Sequence, residues 1–155
     1  MYNLQCDKNF KKLLSYFFKT INTDVKINEF SNTPNDISFL RNIEDIPENY
    51  IPNGKYIVVN SDDKEILELI KGTENKIITC GMSTRSTVTF SSINEKSGVV
   101  CIQRSIKILN SSEIYPFELP FELCGKIIDE ISLLMLLTGA LICNAEINLL
   151  KKINL

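Results

Sequence analysis

The clearest periodicity in the chain is a stripe of large apolar residues, Phe10, Leu13, Leu14, Phe17, Phe18 and Ile21, at helical spacing. These positions fall on one face of a 3.6-residue repeat and predict an amphipathic helix. Lys11, Lys12 and Lys19 then form its solvated side. Val25 and Ile27, extended by Phe30, alternate with polar neighbours and predict a short strand. The next stretch, Ser31 to Pro52, is rich in Asn, Asp, Ser and Pro and reads mainly as loop, with a short helix around Ile37 to Ile43.

After Gly54 the pattern becomes that of a parallel sheet. Lys55-Tyr56-Ile57-Val58-Val59-Asn60 is a β-branched apolar run suited to a strand buried on both faces, at the sheet centre. Asp62 followed by Glu65 reads as a capping box ahead of a helix carrying Ile66, Leu67, Leu69 and Ile70, which ends near Gly72. Lys76 to Cys80 reads as a second strand, closed by Gly81, so strand, helix and strand predict a right-handed βαβ crossover and a parallel pair.

Beyond Gly81 the alternation lengthens. Val88 and Phe90 define one run, Val100, Ile102, Ile106 and Ile108 a second interrupted by Arg104, and Tyr115, Phe117, Leu119, Phe121 and Leu123 a third. Turn residues at Asn94 to Gly98 and at Asn110 to Ser112 separate them, predicting a three-stranded antiparallel meander. Pro116 and Pro120 direct their missing N–H groups to one side of the last strand, predicting an edge, and Tyr115, Phe117 and Phe121 make that edge a candidate partner surface. Lys126 to Cys143 is apolar nearly all round and predicts a C-terminal helix buried against the sheet. The expected fold class is α/β: a small parallel sheet with a βαβ unit, then the meander, then the buried helix. Residues 1–155 are expected to form a single domain, with 1–53 as N-terminal helix, strand and loop.

Composition narrows the chemistry. A net charge of -2 argues against nucleic acid, which draws its affinity from clustered Lys and Arg. Ile131 to Cys143, interrupted by Ser132 and Thr138, is shorter than the roughly 20 residues a membrane-spanning helix needs. Met1 to Phe10 lacks a secretory signal pattern, so a cytoplasmic location is expected. The five cysteines, Cys6, Cys80, Cys101, Cys124 and Cys143, are odd in number and widely spaced, as packed reduced thiols are. The chain has no histidine, no closely spaced cysteines and no glycine-rich phosphate loop. These facts remove the usual triads, zinc sites and nucleotide cradles. No catalytic residue, metal site or cofactor is therefore expected.

Two polar clusters remain as candidate ligand-binding residues. Asn60, Asp62 and Asp63 follow a strand at the end where open α/β sheets place ligands, although Asp62 as cap of the next helix and Asp63 as a charge in its first turn account for them more simply. Ser83, Thr84 and Arg85 follow the next strand and offer hydroxyls and a guanidinium suited to a carboxylate or phosphate. Arg104 is expected to pair with Glu118 or Glu122, and Cys80 is the thiol best placed to react, with packing the better account of it.

Residues 54–145 resemble the latter part of the central domain of Mur ligases, the ATP-dependent amino-acid ligases of cell-wall synthesis. The likeness rests on Ile57-Val58-Val59-Asn60-Ser61-Asp62-Asp63, on Ile77-Ile78-Thr79-Cys80-Gly81, on the meander, and on Phe117-Glu118-Leu119-Pro120 ahead of an apolar helix. The family's phosphate loop and histidine are missing, and its nucleotide-contacting positions are replaced by residues such as Asp129-Glu130-Ile131-Ser132. The resemblance thus implies a scaffold without the catalytic residues. It leads to the expectation of a non-catalytic module that binds a protein partner, a second copy or a small ligand in a cell-wall setting. The alternative is an enzyme or a subunit of an ATP-dependent amide ligase, using Asp62, Asp63 and Arg85, with nucleotide binding supplied by a second chain.

Overall fold

The computed structural model describes residues 1–110, 112–126 and 128–155. Ser111, in the turn expected at Asn110 to Ser112, and Ile127, in the helix expected from Lys126, lie outside the described residues.

The chain runs β1 (Tyr2–Cys6), α1 (Lys8–Thr20), β2 (Val25–Glu29) and β3 (Ile37–Leu40), then a 3-10 turn at Ile43–Asp45. It continues through β4 (Tyr56–Asn60), α2 (Lys64–Leu69), β5 (Lys76–Cys80), β6 (Val88–Ile93) and β7 (Ser97–Ile102). The remaining elements are β8 (Ile106–Lys107), β9 (Glu113–Ile114), β10 (Phe117–Cys124), α3 (Glu130–Ile142), α4 (Ile147–Leu150) and β11 (Lys152–Asn154). Among the described residues these strands form a nine-stranded sheet in the order β11-β10-β7-β6-β5-β4-β3-β1-β2, with β8 and β9 as a separate pair. From β2 to β6 all neighbours are parallel; β6, β7 and β10 are antiparallel, so the expected α/β class and meander are both present.

Alternation along the strands sorts the core into two layers. Tyr56 and Val58 of β4 join α1 and α3 on one face, whereas Ile57 and Val59 meet Ile66 and Ile70 of the α2 segment on the other. Strand β4 is buried along its whole length, as its uninterrupted apolar run requires. In α3 every residue from Ser132 to Ile142 is buried. Its two hydroxyls are satisfied locally: Thr138 Oγ1 donates to the Leu134 carbonyl, and Ser132 Oγ donates to Asp129.

Several expectations need correction. Ile37 to Leu40 is a strand instead of a short helix, because it is inserted between β1 and β4 and buried on both faces. Its polar member Ser38 is tolerated because its hydroxyl lies 3.0 Å from that of Tyr50 and also donates to the Asn53 carbonyl. Strand β1 was hidden by its polar residues; buried Gln5 donates its amide to Ser31 Oγ and the Thr33 carbonyl, both at 3.0 Å. The run from Val100 to Ile108 is broken: β7 ends at Ile102, and Ile106 belongs to the β8–β9 pair. Strand β10 is an edge only over its first half, since β11 pairs with Glu122 to Cys124. Glu122 donates its N–H toward that side, to the Lys151 carbonyl. Pro120, two residues earlier and of the same parity, directs its missing donor there too, so pairing begins only beyond it. Arg104 bonds the Arg85 carbonyl at 2.9 Å and Thr87 Oγ1 at 3.4 Å instead of pairing with Glu118 or Glu122. It lies two residues beyond Ile102, the last residue of β7 and the last to pair with β10.

Packing of α3 on the sheet depends on Gly139. A Cβ there would lie 2.8 Å from the Phe39 ring tip and 3.1 Å from the next ring carbon, and Phe39 is fully buried. Gly139→Leu is expected to destabilise the fold by about 1–3 kcal/mol, because overpacking here outweighs the gain in helix propensity. Urea denaturation of both proteins provides the check.

Candidate functional site

In the sheet order β2-β1-β3-β4-β5, the connection after β1 runs to one side and the connection after β3 to the other. The crevice beyond the carboxyl ends of β1 and β3 is therefore the topological switch point, the usual ligand position in such sheets. The residues that immediately follow the two strands are Asp7 and Arg41, and they bind each other. Arg41 Nη2 lies 3.1 Å from Asp7 Oδ1 and Arg41 Nε lies 3.3 Å from Asp7 Oδ2, a two-pronged pair whose carboxylate is almost fully buried.

The same guanidinium links two helix starts. Asp7 caps α1 by accepting the Phe10 N–H at 2.9 Å. Asp129 caps α3 by accepting the Ser132 N–H at 2.8 Å. Arg41 Nη1 donates to Ser132 Oγ at 3.0 Å and sits 3.8 Å from Asp129 Oδ2, while Asp45 stands 3.9 Å from Nη2. The guanidinium carbon also lies 5.2 Å from the centre of the Phe10 ring, a cation–π contact. A helix N-terminus attracts anions. Here the chain's own carboxylates occupy both. A cavity of about 420 Å³, lined in part by Asp7, Glu29, Phe30 and Asp45, lies beside the clamp.

The residues singled out from sequence lie one and two strands further along the same sheet end. Asn60 donates from Nδ2 to the Arg41 carbonyl at 3.0 Å and accepts the Asp62 N–H at 3.0 Å, which joins this region to the clamp. Asp62 accepts the Met82 N–H at 3.0 Å, and Ser61 Oγ donates to the Cys80 carbonyl at 3.1 Å and lies 2.9 Å from Ser86 Oγ. Gly81 makes this closure possible: a Cβ would stand 2.5 Å from Ser61 Oγ and 2.7 Å from Asp62 Oδ1. The loop after β5 is held in place by Gln103, whose amide donates to the carbonyls of Thr84 (3.0 Å) and Ser86 (2.5 Å). Ser83 Oγ accepts the Arg85 N–H at 3.2 Å as a local turn bond.

The structure thus brings Asn60, Asp62 and the start of the Ser83-Thr84-Arg85 loop together, but sends Asp63 elsewhere. Asp63, and not Asp62, caps α2 by accepting the Glu65 N–H at 3.0 Å, and its second oxygen accepts the Ile43 N–H at 3.3 Å. The cap falls one residue along because the Asp62 carboxylate is turned to the loop after β5, where it accepts the Met82 N–H. Among the described residues no group of three or more His, Cys, Asp or Glu could hold a metal ion, and no helix is long and apolar enough to cross a membrane.

Fold and site define a mixed α/β domain whose switch point is closed by an internal Arg–Asp clamp. No protein-family model matches the chain, and neither does any curated protein.

Removing Arg41 strands a buried carboxylate. Arg41→Met is expected to cost about 3–5 kcal/mol. Adding Asp7→Asn, which keeps a capping oxygen, should recover part of that loss in a denaturant-based double-mutant cycle.

Cys80 is fully buried, and its sulfur lies 3.3 Å from Thr138 Oγ1. Burial pushes its thiol, and those of Cys6 and Cys143, up to about 12 from an ordinary 9.0. Since the unfolded thiols ionise first as pH rises, the stability held by the neutral buried form is fully present below the unfolded value. It is lost as pH climbs through the folded value. Urea midpoints should therefore fall between about pH 9 and about pH 12, with a shallower slope in Cys80→Ala.

Proposed function

We propose that this chain is a non-catalytic, Mur-ligase-like α/β domain that serves as a binding module for a partner protein or a small ligand in a cell-wall setting. One observation carries the reading: the switch-point crevice, where a nucleotide phosphate would meet the start of α1, is filled by Asp7 and locked by Arg41. A phosphate brought to that N-terminus would meet a fixed carboxylate, and like charges in a poorly solvated crevice repel strongly. The order of strand, helix, strand, antiparallel strands and apolar helix supports the family likeness. The polar groups after β4 and β5 are likewise engaged by neighbouring backbone, which suits a fixed scaffold. All five cysteines are free thiols, which supports a reducing, cytoplasmic location.

The purified chain is expected to release no phosphate from ATP in the presence of magnesium. Calorimetric titration with magnesium nucleotide should give identical heats for wild type and Asp63→Ala. Turnover, or a heat that depends on Asp63, would favour the ligase-subunit reading instead.

A further inference from the structure

At the opposite end of the sheet from the clamp, the amino-terminal ends of β4 and β5 form the floor of a second cleft. The Tyr56 hydroxyl donates to the Lys107 carbonyl, which draws β8 across these strand ends. Asn75 donates to the Gly54 carbonyl at 2.6 Å and fixes the two loops leading into β4 and β5. The result is a cleft of about 420 Å³ lined by Lys55, Tyr56, Lys76, Lys107, Ile108 and Leu109.

Three lysines from three separate segments line this cleft, although acidic residues outnumber basic ones in the chain, 19 to 17. Lys55 is balanced by Asp36 at 3.0 Å, and that carboxylate also accepts the Asn3 N–H at 2.8 Å. Lys76 holds its ammonium 5.6 Å from the centre of the Tyr56 ring. The tyrosine face supports the cation without neutralising it. Lys107 stands opposite Glu113 in the β8–β9 pair, so two of the three charges have a carboxylate nearby; a cleft lined by lysines with low-dielectric walls still concentrates anions.

We propose that this cleft binds a small phosphate-bearing ligand, with the phosphate between Lys76 and Lys107 and any apolar portion against Tyr56, Ile108 and Leu109. The proposal rests on the binding-module reading and gives that module a ligand class. The two fail separately, because ATP turnover would defeat the module reading while leaving anion binding at this cleft intact.

The test is calorimetric titration of the full chain with inorganic pyrophosphate at low ionic strength. Saturable binding of one equivalent is expected. Lys76→Ala and Lys107→Ala should each weaken it about tenfold, as loss of one charge-assisted hydrogen bond does. Lys12→Ala, on the outer face of α1 and outside the cleft, should leave it unchanged. Circular dichroism melts of each variant establish that it is folded. Absence of a saturable heat, equal weakening by Lys12→Ala, or binding to an oligonucleotide but not to pyrophosphate would each overturn the assignment.

Discussion

The constraint on which the architecture depends is the apolar circumference of α3. A helix whose residues are buried all the way from Ser132 to Ile142 cannot lie on a surface; it must be walled on every side. The sheet supplies one wall through β4, β5 and β6, and α1 supplies another. The stripe of Phe10, Leu14, Phe17 and Phe18 on α1 is the complement of that need, since its buried face completes the same core layer. The contact is close enough that Phe39 leaves no room for a side chain at position 139.

Holding α1 and α3 on one face brings their N-termini toward the carboxyl end of the sheet. Two partial positive charges so placed attract anions. The chain answers with Asp7 and Asp129, and Arg41 then compensates the excess of carboxylate. The clamp is in this sense a consequence of the packing, and it explains how a switch point can become structural. The neighbouring rim around Asn60, Ser61 and Asp62 follows the same course, with each polar group turned inward to backbone.

Elements whose signal is local were legible in the sequence. The α1 stripe, the β4-α2-β5 unit and the apolar α3 all declare themselves within a few residues. Strands β1 and β3 did not, because their polar members look exposed until their distant partners are known. Gln5 is satisfied by Ser31 and Thr33, and Ser38 by Tyr50 and Asn53. Arg41 was hidden for the same reason: its hydrogen-bond partners Asp7 and Ser132 lie 34 and 91 positions away, and no periodicity reports a pairing of that span. The local signals were an arginine directly after Ile37-Ser38-Phe39-Leu40, in a stretch that reads as loop, and Asp45 four residues on. Around Asp62 and Asp63 the pattern located the helix start, and a contact twenty residues away, from the Met82 N–H to the Asp62 carboxylate, left Asp63 as the cap.

The joint between the parallel and antiparallel parts of the sheet is slender: among the described residues, the β5–β6 ladder is Cys80 opposite Val88. Helix α3 lies across this seam and touches strands on both sides of it, so it acts as a splint over a narrow weld. Lifting the splint opens the α1–α3 layer in both halves at once, while the Ile57, Val59, Ile66 and Ile70 layer on the other face stays covered by α2. The parallel and antiparallel parts of the sheet are thus coupled chiefly through one helix laid across their narrow joint.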